Sequence, residues 1–180
     1  METLPIEGLN QLFCMNSKKW GIDKGILKAI AMVESSMQQF AFRYEPDFWA
    51  NYGPRMIAKF PQLEGMDPKE VSTSYGLMQI MYTTALGLGF DGPGEELYNP
   101  VLNIELGARL MNQLWNSLKP EPNFKGWPIE ICLARYNGGS YLNPGPDGSL
   151  RNYAYTRKVL KAYWQIRSDD AKSKTSCDAT

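Results

Sequence analysis

The chain has 180 residues, 43% of them hydrophobic and 21% charged, with 19 acidic and 19 basic side chains. That length and composition suit a globular protein with a full hydrophobic core. Balanced charge with no basic stripe argues against a nucleic-acid partner, and no apolar run approaches the roughly 20 residues that span a bilayer. Histidine is absent, which excludes Ser-His and Cys-His nucleophilic pairs and imidazole-ligated zinc. Acid–base chemistry near neutral pH therefore falls to a carboxylate, a lysine or a tyrosine in a perturbing environment.

The opening residues lack the basic and apolar regions of a secretory signal. The reading is a chain that leaves the cytoplasm by another route, or one from which a signal has been trimmed. Cys14, Cys132 and Cys177 are odd in number and follow no ligand spacing. They read as reduced thiols, two packed and one in the tail.

The first predicted helix runs from about Ile6 to Ser17, with Leu9, Leu12 and Phe13 inward. Gly21-Ile22-Asp23 supplies a turn and an N-cap for a second helix that ends near Ser35-Ser36. Ile22, Ile26, Leu27, Ile30 and Val33 form its apolar face, and Glu34, four residues after Ile30, projects from the same stripe. A carboxylate at an apolar position is expensive to bury, and a protein that keeps one usually pairs it or uses it.

From Phe40 to Thr73 the pattern is irregular, punctuated by prolines and glycines and crowded with aromatics, among them Phe42, Tyr44, Phe48, Trp49 and Tyr52. A loop of that length has a functional reason or conceals short helices, and Asp67-Pro68 fits the start of one. An apolar stretch from Gly76 to Met81 leads into a short helix around Thr83–Leu86. Asn99-Pro100 opens the clearest helix, to about Leu118, with Val101, Ile104, Ala108, Met111, Leu114, Trp115 and Leu118 on its core face. Trp127-Pro128 starts a helix through Tyr136, stopped by Asn137-Gly138-Gly139. Tyr141 to Gly148 is loop, and a last helix spans about Asn152 to Arg167. No alternating run supports a substantial sheet. The expectation is a mainly α protein: one helical domain over residues 1–167 and a polar, disordered tail over 168–180.

Glu34 is the leading acid–base candidate. Apolar neighbours would raise its pKa, so that it could hold a proton at neutral pH and deliver it to a glycosidic oxygen. Amides and tyrosines beside glycine turns can bind sugar hydroxyls and N-acetyl groups. Such residues cluster in Gly76-Leu77-Met78-Gln79, in Ala134-Arg135-Tyr136-Asn137-Gly138-Gly139, and at Tyr153 and Tyr155. By default each has a plainer role: helix start, helix cap or packing.

Glu34-Ser35 at a helix end, Gly76-Leu-Met-Gln79, Ala134-x-Tyr136-Asn137-x-Gly139 and Tyr155-x-x-x-Val159 occur in the order and approximate spacing of lytic transglycosylases. The chain resembles the soluble-lytic-transglycosylase type, with its goose-type lysozyme-like fold, over about Asp23 to Trp164; a softer likeness is to phage-associated members. The resemblance implies cleavage of the N-acetylmuramic acid–N-acetylglucosamine bond of peptidoglycan with Glu34 as sole acid and base. It also implies 1,6-anhydromuramoyl products, and substrate contacts from Ser35, Met78, Gln79, Tyr136, Asn137 and Tyr155. No cofactor or metal is implied, the partner is the glycan strand, and a monomer is expected. Delivery to the wall through a phage lysis or virion route fits this reading. The chain departs from the common family pattern at Thr73-Ser74, Tyr82 and Arg151.

Two other readings stay open. A muramidase would hydrolyse the same bond, and an inverting one needs a second carboxylate about 6.5–9.5 Å from the acid; Glu45, Asp47 and Glu64 are the candidates. A non-catalytic glycan-binding module would keep the groove without needing the acid.

Overall fold

The computed structural model describes residues 2–139 and 143–173. The helices are α1 (Ile6–Trp20), α2 (Lys24–Ser35), α3 (Pro46–Lys59), α4 (Pro68–Val71), α5 (Tyr82–Gly87), α6 (Pro100–Asn116), α7 (Pro128–Gly138) and α8 (Tyr153–Ser173). Three short strands, β1 (Phe42–Tyr44), β2 (Thr73–Tyr75) and β3 (Ile80–Met81), form one antiparallel sheet in the order β1-β2-β3. The chain is mainly helical with a small sheet, as its sequence implied. No helix among the described residues is long and apolar enough to cross a membrane.

Two compact units can be distinguished. The first comprises Met1–Leu12 and Glu34–Gly107, the second Phe13–Val33 and Ala108–Thr180. In the first, Leu63, Val71, Leu77, Met78, Ile80, Leu97 and Ile104 are buried. All three residues of β2 are buried, although Thr73 and Ser74 are polar. Thr73 Oγ1 meets the cost of burial by donating to Lys69 O at 2.7 Å, and the ladder pairs Tyr75 with Phe42 and Ile80. The edge strand β1 exposes all its side chains.

Tyr75 sits at the centre of this sheet, its hydroxyl donating to Glu70 O at 3.1 Å. Burial, then the Glu70 carboxylate and Tyr98, push that hydroxyl up to about 12 from 10.0. The folded state thus holds the proton more tightly than the unfolded chain does, so the contribution is intact below the ordinary tyrosine pKa and is lost as pH rises toward 12. Unfolding free energy measured by urea titration should fall across that alkaline window, and Tyr75→Phe should flatten the decline.

In the second unit, Asp23 caps α2 as expected, accepting from Gly25 N at 2.7 Å. Ile22, Ile26, Leu27 and Ile30 are buried, and Val33 is half-buried. Lys24 pairs with Asp170 at 2.9 Å, and Asn112 Nδ2 donates to Trp20 O at 2.8 Å. Ile131, Ala134 and Leu150 form a buried cluster, with Leu118 and Phe124 against it.

Several expectations change. The irregular segment after Phe40 contains α3, a 14-residue helix with Pro46 in its first turn and Pro54 inside it. Val101 and Trp115, expected on the core face of α6, are 51% and 44% exposed; Ile104, Ala108, Met111 and Leu114 of that expected face are buried, and Leu106 is buried as well. Helix α1 continues to Trp20, and α8 continues past Arg167 to Ser173, so the start of the expected disordered tail is helical. Residues 174–180 and 140–142, the latter including the start of the expected loop, lie outside the described residues. Cys14 is disulfide-bonded, which corrects the reading of three reduced thiols. Cys132 is free and buried, and burial pushes its thiol up to about 11.

Candidate active site

Glu34 occupies the last turn of α2 and is half-buried. Ser35 follows it, 8% exposed, and its hydroxyl donates to the carbonyl of Leu77 at 2.7 Å. This single bond, between residues 42 apart in sequence, ties the end of the Glu34 helix to the Gly76–Gln79 turn. Ser35→Ala would leave a buried carbonyl without that donor. A loss of about 1–3 kcal/mol in urea unfolding is expected, together with slower turnover as the Glu34 backbone loosens.

The turn itself is held from beneath. Asn103, fully buried on α6, accepts from Met78 N at 2.8 Å through Oδ1. Its Nδ2 donates to Tyr75 O at 2.9 Å and Leu97 O at 2.8 Å. Gly76 has φ +74°, and a Cβ there would lie 2.6 Å from Asn103 Nδ2 and 2.7 Å from Leu97 O, so only glycine fits. Gln79, itself at φ 47°, turns its amide back to donate to Ala41 O at 3.1 Å and Gly76 O at 3.0 Å. Ala41 O also accepts from Gly76 N at 2.8 Å, which joins the segment after α2 to the same turn.

Ser36 and Met37 continue this pattern, with φ 53° and 63° immediately after Glu34-Ser35. Left-handed backbone at non-glycine residues costs of order 1 kcal/mol or more each and persists where the surroundings over-determine it. Gln39, 3% exposed, helps to do so: its side chain accepts from Leu4 N at 3.0 Å and donates to Glu2 O at 3.2 Å. The backbone on both sides of the Glu34–turn junction is therefore fixed by long-range hydrogen bonds.

Of the residues singled out from sequence, Glu34, Ser35, Met78 and Gln79 all belong to the first unit. Met78 is fully buried, with its side chain against Gly107 of α6, whereas Gln79 is half-buried. Tyr136, Asn137 and Tyr155 belong to the second unit. Tyr136 is half-buried and Asn137 exposed at the end of α7, where Gly139 at φ 101° donates to Arg135 O at 2.8 Å. Buried Arg135 bonds Ser117 Oγ and Asn143 Oδ1. Tyr155 is half-buried in the first turn of α8.

Among the carboxylates considered as a second catalytic group, Glu45 is engaged by Arg43 Nε at 2.5 Å, while Asp47 and Glu64 are exposed. No cluster of potential metal ligands occurs among the described residues. Asn103 was missed from sequence. Its only local signal is an amide between the apolar neighbours Leu102 and Ile104 of α6, 25 residues from the Met78 N–H it receives.

A mainly helical chain with a small antiparallel sheet, and a glutamate at a helix end braced on a glycine-hinged turn, has the lysozyme-like fold of the lytic transglycosylases. The chain belongs to the Transglycosylase SLT domain family, whose model matches residues 11–143. It is also similar in fold to a solved structure of an inactive mutant of lytic transglycosylase Slt from Pseudomonas aeruginosa. The TM-score is 0.54 and the identity 18%, over 89% of this chain and 24% of that one. The chain thus spans about a quarter of the length of that protein. No curated protein sequence matches it.

Proposed function

We propose that this chain is a peptidoglycan lytic transglycosylase in which Glu34 serves as both acid and base. The observation that carries the reading is the Ser35–Leu77 hydrogen bond, which joins the Glu34 helix end to the Gly76–Gln79 turn; family membership supplies the reaction class.

A protonated carboxyl can deliver its proton to a glycosidic oxygen as a general acid. In the proposed reaction Glu34 gives that proton to the oxygen linking N-acetylmuramic acid to N-acetylglucosamine, and the N-acetylglucosamine side leaves as an alcohol. The Glu34 carboxylate then takes the proton of the muramoyl C6 hydroxyl as that oxygen bonds to the anomeric carbon. The carboxyl is regenerated, a 1,6-anhydromuramoyl end forms, and no water is consumed. Ser35 positions the acid through Leu77. Gln79, Tyr136, Asn137 and Tyr155 are proposed substrate contacts by their match to the family motifs. Met78, with its side chain fully buried, would act through the shape of the turn and its backbone.

Mass spectrometry of muropeptides released from purified peptidoglycan tests this reading. Ends lighter by one water than reducing muramic acid are expected. Reducing ends alone would instead identify a muramidase.

A further inference from the structure

The second unit carries an aromatic and cationic surface that the proposed reaction does not use. On α8, Tyr153, Arg157, Lys161 and Trp164 recur at spacings of three and four residues, which places them in one stripe along the helix. All four are exposed, Tyr153 by 49% and Trp164 by 52%. Trp127, at the start of α7 and 56% exposed, stands edge-on to Trp164 with ring centroids 6.1 Å apart.

The indoles are held in place. Tyr163, 5.0 Å from the Trp164 ring, packs on α2 where Gly25 has no side chain. Glu130 Oε2 accepts from Trp127 N at 2.7 Å, and Gly126 leaves the room for that carboxylate to fold back. Two ordered indoles left half in water have already lost the rotamer freedom that binding would otherwise remove.

We propose that the outward stripe of α8, extended by Trp127, is a second carbohydrate-binding surface for peptidoglycan strands. Sugar rings stack on the aromatics, and the carboxylates of the peptide stems pair with Arg157 and Lys161. The choice of polymer rests on the function proposed above. Charge complementarity supports that occupant. Neither Arg157 nor Lys161 forms an ion pair among the described residues. Glu130, beside Trp127 at the end of the stripe, is engaged on Trp127 N. The 12 residues from Tyr153 to Trp164 cover roughly 16 Å of helix, enough for more than one sugar ring. A partner helix would call for aliphatic residues at these positions, whereas here the apolar groups are flat rings interleaved with cations. Single-stranded nucleic acid also stacks on such rings, but a chain of zero net charge with two cations on the stripe offers phosphates little.

Co-sedimentation with purified peptidoglycan sacculi tests the proposal, using Glu34→Gln as the parent so that the polymer is not consumed. Trp127→Ala with Trp164→Ala should weaken binding by about tenfold. Arg157→Glu with Lys161→Glu should also weaken it and flatten its dependence on salt. The second pair removes no buried apolar surface, so it keeps the test valid if the tryptophan pair lowers the thermal midpoint. Sacculus binding unchanged in the charge-reversed pair, or in a folded tryptophan pair, overturns the proposal. So does tighter binding of the parent to a single-stranded oligonucleotide through these same residues. Failure of the wild type to release cleaved muropeptides would count against the proposed reaction and leave these binding differences readable.

Discussion

Glu34→Gln is expected to reduce muropeptide release by a factor on the order of 10²–10⁴ or to background, with no appreciable change in thermal midpoint. Glutamine has nearly the same shape and keeps a carbonyl acceptor, so the end of α2 and the Ser35–Leu77 bond should survive. What it lacks is a transferable proton. The absence of histidine and the placement of Glu45, Asp47 and Glu64 on an arginine or at the surface leave no evident substitute at the turn. Turnover within a few-fold of wild type would remove Glu34 from the mechanism.

The second large effect is expected far from any substrate atom. Asn103→Ala would strand three backbone groups at once: Met78 N–H, Tyr75 C=O and Leu97 C=O. All three residues with lost partners lie in or beside the turn, and Asn103 itself is fully buried. An unmet buried donor or acceptor costs about 1–3 kcal/mol, and water entering the vacated space would relieve part of it; a net loss of roughly 3 kcal/mol is expected. That is a large share of the stability of an ordinary domain. Urea unfolding with an unchanged m-value would measure it. A loss below about 1 kcal/mol would mean that the turn is held by other contacts.

Legibility from sequence divides along the range of the interactions. Helix α2 could be read because its determinants are local: Asp23 as cap, Ile22, Ile26, Leu27 and Ile30 at helical spacing, and Glu34 in register with them. Helix α3 could not. Pro46 and Pro54 read as breakers, yet Pro46 sits where no N–H is needed and Pro54 is accommodated within the helix. Buried Gly53 lets the Trp49 ring close over the backbone, since a Cβ there would lie 2.9 Å from it. Strand β2 was invisible for a different reason: Thr73-Ser74-Tyr75 is buried throughout, so it shows no apolar–polar alternation.

Within the site, residue types were legible and supports were not. Glu34, Gln79 and Tyr136 stand out because carboxylates and amides beside glycine turns suggest chemistry. Asn103 and the left-handed Ser36 and Met37 owe their importance to groups distant in sequence. The same holds for Trp115 and Val101, which fit a helical core stripe by spacing and lie exposed. The disulfide at Cys14 likewise depends on a partner that spacing does not reveal.

In the proposed reaction one carboxyl completes the cleavage without water. Digestion of purified peptidoglycan in water enriched in heavy oxygen separates this from hydrolysis. Anhydro muropeptides that carry no label at the new end, and that disappear with Glu34→Gln, are expected. Reducing ends bearing the heavy oxygen as the main product would contradict it and assign the chain to hydrolysis.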